Sequence, residues 1–191
     1  MRVSREQAAE NRQRIVATAA KLFRERGFDG IGVADLMRQA GLTHGGFYGH
    51  FDSKEDLMAE ASASMLETSL QRWHERAARH PDDPLGAVVK AYLRPQHRDE
   101  PGAGCGFAAL ASELGRQPKS LRRPITETLR GYFDLLGNLI GGRSAAAKRK
   151  QGMYAFSAMV GALVLARIAE DDALSKEILD SVTDGVTASR Q

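Results

Sequence analysis

Residues 33–51, VADLMRQAGLTHGGFYGHF, gather the residue types from which a nucleic-acid reading surface can be built. Phe47 and Phe51 are spaced i, i+4, so on a helix both face the same way, toward a core. That orientation sends Thr43, His44, Gly45 and Tyr48 to the opposite, outward face. Hydroxyl, imidazole and phenol groups placed there can bond phosphates and base edges. Gly45, Gly46 and Gly49 sit in the same short stretch. Each glycine inside a helix costs roughly 1 kcal/mol relative to alanine, so three of them weaken it. One reading is close approach of the backbone to DNA, where a β-carbon would intrude. The other is a loop in place of a helix. The flanking apolar stripes and the position of the charge favour the first.

Such a surface needs elements to hold it. Ile15, Ala19, Leu22 and Phe23 form one apolar helical stripe that stops at Gly27. Val33, Leu36, Met37 and Ala40 repeat the pattern on a shorter helix ending at Gly41, whose type suits the left-handed backbone of a tight turn. Thr43 is placed to cap a third short helix. Two short amphipathic helices joined by Gly41-Leu42-Thr43 match a helix-turn-helix, in which the second helix enters the major groove. Ser53-Lys54-Glu55-Asp56 then opens a long helix, expected to end near His80-Pro81.

Five more helices are expected beyond it. Asp83-Pro84 caps the first of them. The segment 94–104, with two prolines and two glycines, reads as a loop. A short helix over 105–115 is crowded by Phe107, Ala108, Leu110, Ala111 and Leu114. In the next, near 118–140, Pro124 should kink the helix or mark its true start. Helices near 144–169 and 174–189 close the chain. The fold class is all-α, dividing into a head over 1–53 and a body over 54–191.

Charge agrees with this division. Residues 1–54 hold nine Lys/Arg against six Asp/Glu, whereas the rest holds eighteen of each, so the whole net charge of +3 sits in the head. Arg2, Arg5, Arg12 and Arg14 are candidates for an arm on phosphate or in a minor groove, although Arg2 and Arg5 read better as a solvated end. A single cysteine, Cys105, excludes an internal disulfide and fits a reducing compartment. The polar first residues lack the apolar core of a signal peptide, and the apolar run 155–169 is too short to span a bilayer, which needs about 20 residues. A cytoplasmic protein is expected.

Taken together, IVATAAKLFRERG (15–27), the 33–51 stretch and Ser53-Lys54-Glu55 resemble the N-terminal domain of the tetracycline-repressor (TetR) family. The resemblance covers residues 12–60; the remainder is similar only in being helical, with GCGFAAL (104–110) resembling one subgroup. It implies a nine-helix homodimer that binds a palindromic operator and is released by a small effector, usually acting as a repressor. It also implies that Thr43 and His44 approach base edges and phosphates, that Tyr48 and His50 contact phosphates, and that Lys54 contacts one at a helix start. A packed histidine is the competing reading for His50. Gly32 departs from the family, which often carries a capping Thr there, and Gly46 replaces a small polar residue.

The body has more apolar helical surface than a head requires. Tyr92, Phe107, Tyr132, Phe133, Phe156 and Met159 are of the types that line apolar pockets, though each alone is as well explained by core packing. Ala155, Ala158, Gly161, Ala162, Leu163, Val164 and Ile168, with Ile178, Leu179, Val182 and Val186, suit a dimer face made by the last two helices. Cys105 near a helix start suggests a thiol sensor or a pocket residue, but a small buried hydrophobe is the favoured reading. No metal-spaced cluster, phosphate loop or catalytic arrangement stands out, so neither an enzyme nor a cofactor is expected. A non-specific architectural DNA binder, or an activator in place of a repressor, are the alternatives.

Overall fold

Ser4 accepts a hydrogen bond from the Gln7 N–H (3.1 Å) and so starts α1 (Arg5–Arg26), the first element of the computed structural model, which describes residues 4–189. The Arg2 expectation lies outside those residues. Ile15, Ala19, Leu22 and Phe23 are buried on one stripe of α1, and the helix stops at Gly27 as its type demands. α2 (Val33–Gln39) buries Leu36 and Met37 against α1. Gly41 turns the chain with φ of 70°, a conformation open to glycine and strained for other residues.

The element that follows differs from expectation. His44–Gly49 is a 3-10 helix and not an α-helix, and Thr43 precedes it without a side-chain capping bond. The glycines explain this. They contribute no side-chain packing to hold an α-helical turn, and tight 3-10 turns are common in short pieces. Phe47 and Phe51 are buried and stack with centroids 5.7 Å apart, as their spacing requires.

Ser53 accepts from the Asp56 N–H (3.1 Å) and opens α3 (Lys54–Arg79). This helix packs on α1 and also on α4 (Pro84–Tyr92), α6 (Gly106–Arg116) and α7 (Lys119–Ile140). It therefore runs from the head into the body, and one continuous apolar core spans both. Asp83 accepts from the Gly86 N–H (2.8 Å) and Pro84 takes the first turn of α4, where its missing donor costs nothing.

The expected loop over 94–104 is partly helical: α5 (Pro95–Asp99) is followed by a 3-10 turn, Pro101–Ala103. Pro95 and Pro101 each begin a turn, so the prolines that suggested a loop are helix starts. Pro124 lies inside a continuous α7. The donor it lacks would serve Ser120, an exposed residue whose carbonyl water can reach. Ala111 is exposed and does not crowd the core of α6.

α7 and α8 (Ala145–Ile168) pack at backbone contact. A β-carbon on Gly137 would lie 2.3 Å from the Lys148 carbonyl oxygen, and one on Gly152 would lie 1.9 Å from that of Phe133. α9 (Asp172–Ala188) closes the chain against α8 and α4. Among the described residues there is no strand.

Candidate nucleic-acid interface

Neighbouring aromatics in the 3-10 turn divide inside from outside. Phe47 is 1% exposed and Tyr48 is 66% exposed, with ring centroids 5.3 Å apart. Thr43, His44 and Gly45 share the exposed side with Tyr48, and the His44 and Tyr48 rings meet edge-on at 6.4 Å. Gly46, His50 and Lys54 are half-buried, with Lys54 in the first turn of α3. A β-carbon at Gly45 or Gly49 would meet nothing within 4 Å, and one at Gly46 would make only ordinary contact with Thr43 and Met37. None of the three has a positive φ. Neither packing within the chain nor backbone conformation calls for glycine at these positions.

Arg12 holds this surface from behind, a role that sequence reasoning missed when it placed Arg12 with the arm. Its guanidinium donates to the His50 carbonyl oxygen, pairs with Glu60 on α3 and lies 4.1 Å from the centre of the Phe51 ring. One side chain thus ties α1, the end of the 3-10 turn and α3 together. Only the spacing of Arg12 from the apolar stripe of α1 could have hinted at it. Arg5 is exposed, and Arg14 is exposed and bonded to Asn11 (2.5 Å). Gly32 precedes α2 with no side-chain capping bond, as glycine must.

In the body, the residues expected to line an apolar pocket mostly fill a core. Trp73 stands edge-on to Tyr92, Tyr132 and Phe156 with centroids 4.9–6.0 Å apart. Phe107 and Phe133 pack edge-on against Phe156, and Met159 is buried. The Tyr132 hydroxyl donates to the Leu66 carbonyl oxygen (3.0 Å), and burial raises its pKa. A cleft of about 180 Å³ lies beside this core. Of the expected pocket residues only Tyr92 and Cys105 border it; Phe107, Tyr132, Phe133, Phe156 and Met159 do not, because they satisfy one another. The cleft is instead bordered by Arg72, Arg76, Arg94, His97 and Glu100, with Trp73.

His97 organises the cleft floor. Its Nε2 accepts from the Cys105 N–H (2.9 Å), so Nδ1 carries the proton and donates to the Tyr92 carbonyl oxygen (2.7 Å). Burial lowers its pKa, and Arg167 and Arg94 lower it further. Arg167 donates to the carbonyl oxygens of His97 (2.9 Å) and Arg98 (3.0 Å), clamping α5 to α8. The Tyr92 hydroxyl is buried without a hydrogen-bond partner, its pKa raised well above the usual tyrosine value by burial and then by the Cys105 thiol beside it.

Residues 15–61 match the family described as bacterial regulatory proteins, tetR family. That segment is a TetR-family N-terminal region. It is 33% identical over 99 residues to the HTH-type transcriptional regulator TtgR of Pseudomonas putida, an alignment covering 49% of this chain and 45% of that protein. The match thus spans less than half the length of that relative. An uncharacterized HTH-type transcriptional regulator of Mycobacterium tuberculosis is 27% identical over 168 residues, 84% of this chain and 86% of its own. The fold is shared with the reduced form of Escherichia coli NemR at a TM-score of 0.78 and 23% identity, covering 94% of this chain and 97% of that one.

Two struts join the first helix of this chain to the later ones. Arg24 on α1 donates through Nε to the Gly102 carbonyl oxygen (2.9 Å), and its pKa is lowered chiefly by burial. Glu113 on α6 accepts from the Phe28 N–H (2.7 Å), just past the end of α1. On the far side of the body, Ala155, Ala162, Leu163, Leu179 and Val186 are buried within the protomer. They cannot face a partner as the sequence suggested. The large apolar residues left exposed there are Met153 (37%), Tyr154 (65%), Leu165 (57%), Ile168 (72%) and Leu174 (48%), with Ala158, Gly161, Val164, Ile178 and Val182 half-buried among them.

Proposed function

We propose that this regulator is a repressor that binds a palindromic operator as a homodimer and is released by a small effector taken into its body. The observation that carries this reading is the polar outward side of the 3-10 turn, Thr43, His44 and Tyr48, exposed above the buried Phe47 and Phe51. Exposed side chains there are free to reach base edges and phosphates, and His50 and Lys54 stand beside them as phosphate donors. The three glycines, which the chain itself does not require, fit close approach to a DNA backbone. The E. coli relative NemR, 25% identical over 138 residues, bears the name transcriptional repressor.

Two half-sites need two heads, so dimerisation belongs to the same reading. Tyr154, Leu165, Ile168 and Leu174 on α8 and α9 supply the apolar face. α8 is long and apolar enough to cross a membrane by composition, with a mean hydropathy of 1.3 over its most apolar stretch. Its contacts with α7, α9 and α6 support reading it as a packed helix of the body, and the protein as cytoplasmic. The division follows the chain, residues 1–53 reading and 54–191 sensing and pairing. The effector is small and largely apolar or thiol-reactive, with Cys105 bordering the cleft.

Fluorescence anisotropy of the reduced protein on DNA from its own upstream region, with excess non-specific competitor, tests the reading. Specific binding is expected to exceed non-specific binding by about 10³-fold or more, and to be lost in His44→Ala and Tyr48→Ala. Binding to every fragment alike, with competitor removing it, would mark an architectural protein instead. Sedimentation should give a dimer that Ile168→Glu converts to monomer, and a wild-type monomer at micromolar concentration defeats the operator model. Cys105→Ser that leaves release by electrophiles unchanged removes the thiol-reactive class.

A further inference from the structure

Among the described residues, five arginines are neutralised by ion pairs. Arg12, Arg38, Arg98, Arg130 and Arg149 each pair with a carboxylate. Those around the cleft are not. Arg72, Arg76 and Arg94 border it, and among the described residues none of them makes an ion pair. Behind them, Arg24 and Arg167 spend their guanidinium donors on main-chain carbonyl oxygens. Carbonyls orient a guanidinium without cancelling its charge. The one carboxylate bordering the cleft is Glu100, which accepts from Gln96 (3.3 Å). Burial opposes the charge on both Arg24 and Arg167. Positive charge thus accumulates around a partly enclosed space of lowered dielectric, where an anion gains most.

We infer that this cleft binds a small organic carboxylate on a single-ring body, an inference that rests on reading the body as the effector domain. Arg72, Arg76 and Arg94 form the cationic wall that selects the anion. Guanidinium groups suit a carboxylate because they offer paired donors in a plane. The buried Tyr92 hydroxyl, with only the Cys105 thiol beside it, supplies a further donor at the cleft wall. His97 is not a ligand for it, because both ring nitrogens are already bonded to the main chain. Trp73 and Tyr92 provide the aromatic wall for the ring. Size sets the body: a cavity of ~150 Å³ holds one benzene, and this cleft offers about 180 Å³.

An adjoining recess of about 240 Å³ shares Ser69, Arg72, Ala103 and Gly104 with the cleft and reaches Ala17 and Arg24 on α1. A carboxylate drawn to Arg72 therefore acts one residue layer from the strut that ties α1 to Gly102. The anion site and the head are neighbours.

Trp73 is the chain's single tryptophan, so its fluorescence reports on the cleft directly. The full chain, without DNA, is titrated with benzoate, and with benzamide and benzyl alcohol as neutral counterparts. Benzoate is expected to saturate the signal at millimolar concentration or below, with the neutral compounds weaker by about tenfold or more. The double variant Arg72→Gln, Arg76→Gln should weaken benzoate by a similar factor, and Arg94→Gln and Tyr92→Phe by smaller ones. Arg130→Gln, on the outer side of α7, should leave it unchanged. No saturation by benzoate overturns the inference, as does equal binding of the neutral compounds or undiminished binding by the double variant. Release from DNA by a neutral compound, with benzoate not bound, keeps the effector reading and ends this one. Saturable benzoate binding in a chain that binds no DNA does the reverse.

Discussion

The head and the body use the same kinds of side chain in opposite ways. In the head, the polar groups lie on an exposed surface and the aromatics Phe47 and Phe51 support them from within. In the body, the aromatics lock into a core around Trp73 and the polar groups face a concave cleft. Arginine shows the contrast most clearly. Arg12 has a carboxylate, a carbonyl and a ring, so it is fully engaged in holding the head together. Arg72 has none of these among the described residues and borders open space. A paired guanidinium holds structure; an unpaired one beside a cleft is available to a ligand.

The strongest way to break the comparison lies in the head. Phe47→Ala should cost about 3–5 kcal/mol in urea unfolding, since a fully buried ring leaves a cavity. Tyr48→Ala, one residue along, should change stability by less than about 0.5 kcal/mol while abolishing specific DNA binding. Equal destabilisation by the two would erase the distinction between inside and outside on that turn.

In the body, His97→Ala removes both bonds made by the His97 ring and leaves the Cys105 N–H unpaired. An expected loss of about 1–3 kcal/mol is measurable by the same unfolding experiment. The pH dependence sharpens this. Burial holds the His97 pKa below its ordinary value of about 6.5, so the unfolded chain binds the proton more readily than the folded one. Its stabilising contribution is complete above pH of about 6.5 and is lost as pH falls through the lower folded value. Thermal unfolding of the wild type should show this acid loss, and His97→Ala should show less of it. An unchanged profile would mean that His97 does not titrate against the fold.

Smaller effects test the join between the regions. Glu113→Ala removes the acceptor of the Phe28 N–H and should cost about 1 kcal/mol, with the loss appearing first in hydrogen exchange near the end of α1. Loss confined to α6 would show that the strut does not bear on the head. Arg130→Gln breaks only an exposed pair with Glu127 and should change the urea midpoint little, by less than about 0.5 kcal/mol. A large change there would mean that exposed pairs in this chain carry more than their usual share.

Much of the fold follows from short-range signals. Gly27, Gly41, Ser53 and Asp83-Pro84 mark starts and stops that depend on neighbours within a few residues, and each lies where the structure ends or begins a helix. The outward order of Thr43, His44 and Tyr48 follows in the same way from the spacing of Phe47 and Phe51. The cleft was not readable. Aromatic residue types are alike whether they line a pocket or pack a core, and only the meeting of α3, α4, α7 and α8 decided for the core. His97 looked like one residue of a proline-rich loop, although its two bonds span 92–105.

By itself, then, the sequence determined the all-α class, many of the helix starts and stops and which residues of the 43–51 segment face out, because caps, turns and periodic stripes are local and repeat every few residues. Tertiary structure alone decided which arginines are neutralised, which apolar residues of α8 remain exposed, and where the body leaves space. Those properties depend on distances between residues far apart in the chain, such as Arg12 and Glu60 or Arg24 and Gly102. Pairing a charge or enclosing a cavity takes partners from several helices, and no spacing along one of them encodes the meeting.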